Sequence, residues 1–338
     1  MNDYAFTADI EALSLAATFV GVCLDRTEVA ELLGVPFLIV GSEEWLDRAI
    51  LALYPRMRTV IPAELVAFRR LLYQRLKVRG LAVTTEWCAD IASIPAYVTK
   101  YAPTVEVWMC LTSSDERTPI FVPFGDTWVE AGMPEHNWHT ILTRMNAPNG
   151  FLWVAVSRCE AEPLPTIAQH ARWASALLQS EQIWRFPTPT HPLRLWQAWH
   201  LGVGALEVIA LAAHDAAPLS IVSDTVSAVF GQHHTRAQHA YRIIQRWNTH
   251  ASTALQRRCG HALESAYLDV IYVFGLVIDQ FANTASVRAL SRAEGALIAE
   301  VCRDARLVYR DIIALLEELG AEDSVVGRPG FEPGTKSL

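Results

Sequence analysis

The stretch that most restricts how this chain folds is Arg185–Pro192, RFPTPTHP. Three prolines in its last six residues remove backbone donors, and no helix runs on through them. They divide the sequence into two textures. Before them, short helical patterns mix with strand-like runs. After them, apolar residues recur at helical spacing almost to the end. The expected fold is mainly α: an α+β N-terminal half with a small antiparallel sheet, followed by an all-α helical bundle. The expected boundaries are residues 1–160 for the α+β domain, 161–192 for a helix and a stiff proline-rich connector, 193–320 for the bundle, and 321–338 for a disordered tail. Trp173, Trp184, Trp196 and Trp199 lie around the connector, and large apolar rings there are expected to pack the halves together.

In the first half, Asp9–Val22 reads as a helix. Asp25–Pro36, DRTEVAELLGVP, resembles the opening of a helix-turn-helix unit. A base-reading helix should follow it. Phe37–Val40 is apolar instead and reads as a strand or buried connection, so packing is the expected role. Ser42 can cap a helix to about Leu53. Another helix starts at Pro62 and ends at Gly80. Its cations Arg69, Arg70, Arg75, Lys77 and Arg79 suit a helix C-terminus. Thr84 or Thr85 is expected to cap a short helix to Ile91. Val105–Leu111 and Pro119–Pro123 flank a polar turn as a hairpin, Thr127–Glu130 adds an edge, and Phe151–Val156 reads as a final buried strand. Ile167–Leu178 is a further helix.

Beyond the prolines the expected helices are Leu193–Ala213, Ser220–Phe230, Arg236–Arg258, Ala262–Phe281 and Val287–Leu319. Thr235 and Gln238 have the spacing of a capping box for the third. The two most apolar stretches, Leu201–Ala213 and Tyr267–Ile278, are shorter than a membrane span and bounded by charge, so both are expected to be buried helices with no membrane contact. The six cysteines form no C-x-x-C pair, which argues against a structural zinc site and fits reducing cytoplasm. In the tail, codons for Gly330–Gly334 can spell the T-arm of a transfer-RNA gene, an integration point for mobile elements.

The chain carries a net charge of −8, so a nucleic-acid contact would have to be local. One such local feature exists. Gly231–His261 holds five arginines and five histidines, and no carboxylate occurs between Asp224 and Glu264. On a helix, His239, Arg242, Arg246, His250, Thr253 and Arg257 share one face, opposite Tyr241, Ile244, Trp247 and Leu255. Arginine offers paired donors to phosphate, and Trp247 a stacking surface. The candidate nucleic-acid-binding residues are therefore His239, Arg242, Arg246, Trp247, Arg257 and Arg258. Internal pairing competes with that reading. A hairpin turn at Cys259–Gly260 would set Asp269 near His250 and Asp279 near His239 and Arg242.

The functional expectation is a non-enzymatic binding or scaffold protein, of mobile-element origin if the tail pattern holds, that contacts a nucleic acid, a nucleotide or a protein partner through this helix. The rival is an enzyme with a site between the halves, using His200, Glu207, His250 and Asp269. His200, Glu207 and His214 recur by seven, and His261 and Glu264 add an H-x-x-E step. His200 and His214 would lie about 21 Å apart along one helix, too far for one ion. No metal is expected. No phosphate-loop, dinucleotide or hydrolase motif occurs, so the sequence names no cofactor.

Overall fold

The structure, a computed structural model, describes residues 4–42, 63–88, 93–94, 96, 105–111, 119–124, 127–144, 151–181, 183–187, 196–215, 223–282 and 290–325. The expected helix after Ser42, the prolines at 189 and 192 and the tail pattern at 330–334 lie outside the described residues.

The N-terminal half opens with helices α1 (Tyr4–Phe19) and α2 (Arg26–Leu33). Asp25 caps α2 by accepting from the Glu28 N–H at 2.7 Å, and Gly34 closes it at φ 75°, a left-handed conformation that favours glycine. A 3₁₀ turn, Val35–Phe37, then leads into β1 (Val40–Ser42). The expected buried connection is therefore present, and among the described residues a 3₁₀ turn and a strand, not a recognition helix, follow α2 directly. Helix α3 (Ala63–Gln74) tightens into a 3₁₀ turn, Arg75–Arg79, and ends at Gly80 as expected.

Next come β2 (Leu81–Cys88), β3 (Val107–Leu111), β4 (Ile120–Phe124), β5 (Thr127–Glu130), β6 (Met133–Asn137), the short helix α4 (Trp138–Arg144) and β7 (Phe151–Arg158). Strands β2 to β7 form one antiparallel sheet in the order β2-β7-β3-β4-β5-β6. The expected strands of the hairpin are in place as β3 and β4, and Thr127–Glu130 is a strand, β5, but not an edge, since β6 pairs along its other side. A second expectation is corrected. Thr84 and Thr85 lie in β2 and cap no helix, because LAVTTEWC is rich in β-branched and aromatic residues and pairs along its whole length with β7. Strand β7 is buried as expected. It lies between β2 and β3, which explains its unbroken apolar run.

Helix α5 (Ile167–Leu178) has the bounds read from the sequence, and a capping box between Thr166 and Gln169 fixes its start. The proline-rich stretch then departs from expectation. Its first residues, Arg185–Pro187, belong to β8 (Ile183–Pro187), which pairs antiparallel with β9 (Trp196–Leu201), so the stretch begins within one strand of a hairpin. Strand β9 also pairs with β1, placing His200 opposite Gly41. Proline does not bar this arrangement, since β8 is the outer strand of β1-β9-β8 and needs fewer ladder donors.

Four helices follow: α6 (Gly204–Asp215), α7 (Ser223–Thr249), α8 (Ala254–Ala282) and α9 (Arg292–Val325). The predicted helix from Leu193 begins only at Gly204. The helices predicted at 220–230 and 236–258 are one helix, α7, that runs through Gly231. A glycine inside a helix costs about 1 kcal/mol relative to alanine. Burial of Val226, Val229, Phe230, Ala237 and Ala240 along one face outweighs that cost. Thr235 caps nothing here. Its hydroxyl donates back to the Gly231 carbonyl inside the helix.

One continuous apolar core runs from Ala12 in α1 to Leu319 in α9, and so includes residues from both textures. At its centre the chain Val35–Val40 is buried, with Phe37, Leu38, Ile39 and Val40 all at most 3% exposed. Buried carbonyls need donors. The Leu38 carbonyl accepts from the Arg236 guanidinium of α7 at 2.8 Å, and the Ile39 carbonyl accepts from the Gly202 N–H at 2.8 Å. Phe37 packs against the Trp247 and Tyr267 rings. A smaller aromatic cluster, with Trp108, Phe121, Trp138 and Trp153, forms a second core.

The expected basic run on α3 is consumed internally. Arg69 pairs with Asp9 at 3.0 Å, Arg70 donates to the Thr85 carbonyl, Arg75 donates to the Leu32 carbonyl, and Arg79 pairs with Glu28 at 2.8 Å. The Arg69–Asp9 pair is almost wholly buried, and the Tyr73 hydroxyl donates to the same carboxylate. Burial pushes the Asp9 carboxyl up, and Arg69 and Tyr73 pull it back. A buried pair of this kind stabilises little against an apolar replacement, but removing one partner strands a charge. Asp9→Ala should therefore cost about 3–5 kcal/mol in denaturant titration, whereas Asp9→Leu with Arg69→Met should cost far less. Equal losses in the two variants would refute the paired-charge account.

Candidate functional site

Helix α7 divides its length between two environments. The inner face holds Ala237, Ala240, Ile243, Ile244 and Trp247, all buried. Two polar groups lie among them. Arg236 is 8% exposed and holds the Leu38 carbonyl, and burial lowers its guanidinium to about 10. His233 is 2% exposed and hydrogen-bonded to the Val40 backbone. Its pKa is pushed down to about 4 by burial, against a smaller upward pull from Val40. His233 is thus a core residue of the neutral imidazole type, not a ligand on the helix surface.

The outer face carries His239, Arg242, Gln245, Arg246 and Thr249. Arg242 is exposed and, among the described residues, has no hydrogen-bond or ion-pair partner. His239, one turn before it, is half-buried, and its pKa is lowered first by burial and then by the Arg242 charge. Arg246 is half-exposed and pairs with Glu31 of α2, whose carboxylate is only 16% exposed. Burial raises the Glu31 pKa and Arg246 opposes that rise. The helix face is therefore open at Arg242 and closed against the N-terminal half at Arg246.

Around that closure the two textures meet through cations and aromatic rings. The Arg75 guanidinium lies 4.8 Å from the Trp173 ring centroid and 3.4 Å from His170 Nδ1. His170 lies 6.0 Å from the Trp247 ring, which stacks on Phe37 at 6.0 Å. Burial, then Arg75 and Arg246, push His170 down to about 4. Trp173 therefore packs against Arg75 and Gly34 of the N-terminal half, and the contact across the junction is made by His170 with Trp247. Trp247 is 7% exposed and belongs to this packing. It presents no open surface for stacking a base.

The other expected contacts separate. Thr253, at the start of α8, caps that helix by accepting from the Gln256 N–H at 3.0 Å. Helix α7 thus ends at Thr249, and the turn lies near residues 250–253, not at Cys259–Gly260. The capping pattern Thr253-x-x-Gln256 was present in the sequence and marks the true helix start. With that turn, Asn248 abuts Gly260 and donates to Glu264. His250 sits in the turn itself, and the expected His250–Asp269 pairing does not form. Neither side chain has a hydrogen bond or ion pair among the described residues. Arg257 donates to the Ala251 carbonyl at 3.2 Å and so ties the turn, and Arg258 pairs with Glu318 of α9.

His200 lies on β9, while Glu207 lies on α6 and pairs with Arg306 at 2.6 Å, so the sevenfold spacing does not make one stripe. Among the described residues, no group of three or more His, Cys, Asp or Glu side chains could hold a metal ion. Helix α8 is longer than its apolar stretch suggested. By length and composition alone, Ala254–Phe281 could cross a membrane. Comparison with protein-family models and with curated proteins returns no match.

The two buried imidazoles have a consequence for pH. Both are held neutral, with pKa values near 4 against 6.5 for the free group. Their stabilising contribution is complete above pH 6.5 and is lost as pH falls toward 4, because the unfolded chain takes up protons first. For His233 the loss is roughly 3 kcal/mol at most. The melting temperature should fall steadily between pH 6.5 and 4, and His170→Gln with His233→Gln should flatten that slope. A slope unchanged by both substitutions would assign the acid sensitivity elsewhere.

Proposed function

We propose that the chain is a non-enzymatic binding protein that contacts an anionic partner, with nucleic acid as the leading class, through the outer face of α7. The observation that supports this reading is Arg242. It is exposed and unpartnered among the described residues, inside a stretch that has no carboxylate from 225 to 263. His239 lies beside it, and Arg246 is exposed on one side of its ion pair. A guanidinium held on a rigid helix is suited to phosphate oxygens, and such contacts position a chain without reading sequence. Trp247, Arg257 and Arg258 support the helix and its turn in this reading and do not touch the partner.

Fluorescence anisotropy with labelled single-stranded RNA and duplex DNA tests the proposal. Binding should weaken steeply as salt rises, because phosphate contacts release counterions. Arg242→Glu should weaken binding about tenfold and leave the melting temperature nearly unchanged, since the side chain makes no hydrogen bond or ion pair among the described residues. No binding at low salt, or binding indifferent to Arg242→Glu, would set the reading aside.

A further inference from the structure

Helix α8 carries an exposed stripe that the basic face of α7 does not account for. Leu268, Tyr272 and Leu276 are 48%, 67% and 42% exposed, each four residues from the next. At helical spacing they share one outward face with His261 and Ser265 at one end and Asp279 at the other, all exposed. The opposite face of α8 is in the core, through Leu263, Tyr267, Val270, Phe274 and Val277. The pairing of α8 with α9, Tyr267 beside Tyr309 and Arg258 beside Glu318, sets the exposed Leu307 level with Asp269. Three large apolar side chains in register, flanked by a fourth, form a patch of the kind that marks an interaction surface.

We infer that this stripe is the seam of a homodimer, in which α8 packs antiparallel against α8 of a second copy. The stripe pairs with itself about a two-fold axis level with Val270. Antiparallel pairing there sets His261 opposite Asp279 of the second copy and Leu268 opposite Tyr272, with each contact made twice, and leaves Leu276 level with Glu264 at the rim. Gly275, whose Cβ position meets nothing within 4 Å, leaves room on the flank for the partner's tyrosine ring. A lipid surface fits less well. Asp269 and Asp279 lie on the exposed side of the helix, Asp269 next to Leu268, and a carboxylate facing hydrocarbon is costly. The seam from His261 to Asp279 is about 27 Å long. One helix pair of that length buries less than the roughly 800 Å² per partner of a standard interface, so a micromolar dissociation constant is expected.

Sedimentation velocity of the full chain over micromolar concentrations tests this. The expected mass rises with concentration from 37.6 kDa toward twice that value. Leu268→Asp with Tyr272→Asp should hold the chain at its single mass with unchanged helical circular dichroism. Asp279→Arg, a surface change that spares the core, should weaken association about tenfold, and adding His261→Asp should restore it. A monomer at every concentration would overturn the inference. So would a dimer indifferent to these substitutions, or flotation with phosphatidylcholine–phosphatidylglycerol vesicles that Tyr272→Asp abolishes.

Discussion

The structure depends on how a buried length of irregular backbone is supplied with donors. Val35–Val40 passes through the core in extended and 3₁₀ conformation, where its carbonyls have no water to meet. An unpaired buried carbonyl is costly, and a hydrogen bond from a charged group is among the stronger remedies. Arg236 provides that remedy at Leu38, His233 bonds at Val40, and β9 and Gly202 complete the pairing. Both side chains come from α7, so one contact of the bundle with the N-terminal half also satisfies the buried strap. The two textures of the sequence are thereby joined in one core.

This arrangement decides what is left for function. A helix that supplies Arg236, His233 and Trp247 to the interior can offer partners only its outer face. Of the cations there Arg246 is also committed, to Glu31, and beyond the turn Arg258 of α8 is committed to Glu318. The apparent basic density of Gly231–His261 therefore reduces to Arg242 with its neighbours. On α8 the division is of another kind. The core takes most of its apolar residues, and Leu268, Tyr272 and Leu276 face outward in a line.

Much of the fold was legible in the sequence, and the reasons are local. Ile167–Leu178 has clear periodicity and a capping box, so its bounds are right. The β3–β4 hairpin announces itself by alternation around a polar turn. The misreadings share a physical cause. LAVTTEWC and IWRFP have modest local signals and become strands because partners far along the chain pair with them. Gly231 resembles a stop, but tertiary burial carries the helix through it. The basic stripe was legible as a stripe. Its internal partners Glu31 and Glu318 were not, since they come from α2 and α9 and no spacing within α7 points to them.

Differential scanning calorimetry of the full chain tests most directly whether the buried strap makes the two textures one cooperative body. A single transition whose calorimetric and van't Hoff enthalpies agree is the predicted result, since the strap cannot lose Arg236 and keep its carbonyls satisfied. Two separated transitions, one for the sheet-bearing half and one for the helices, would contradict the account.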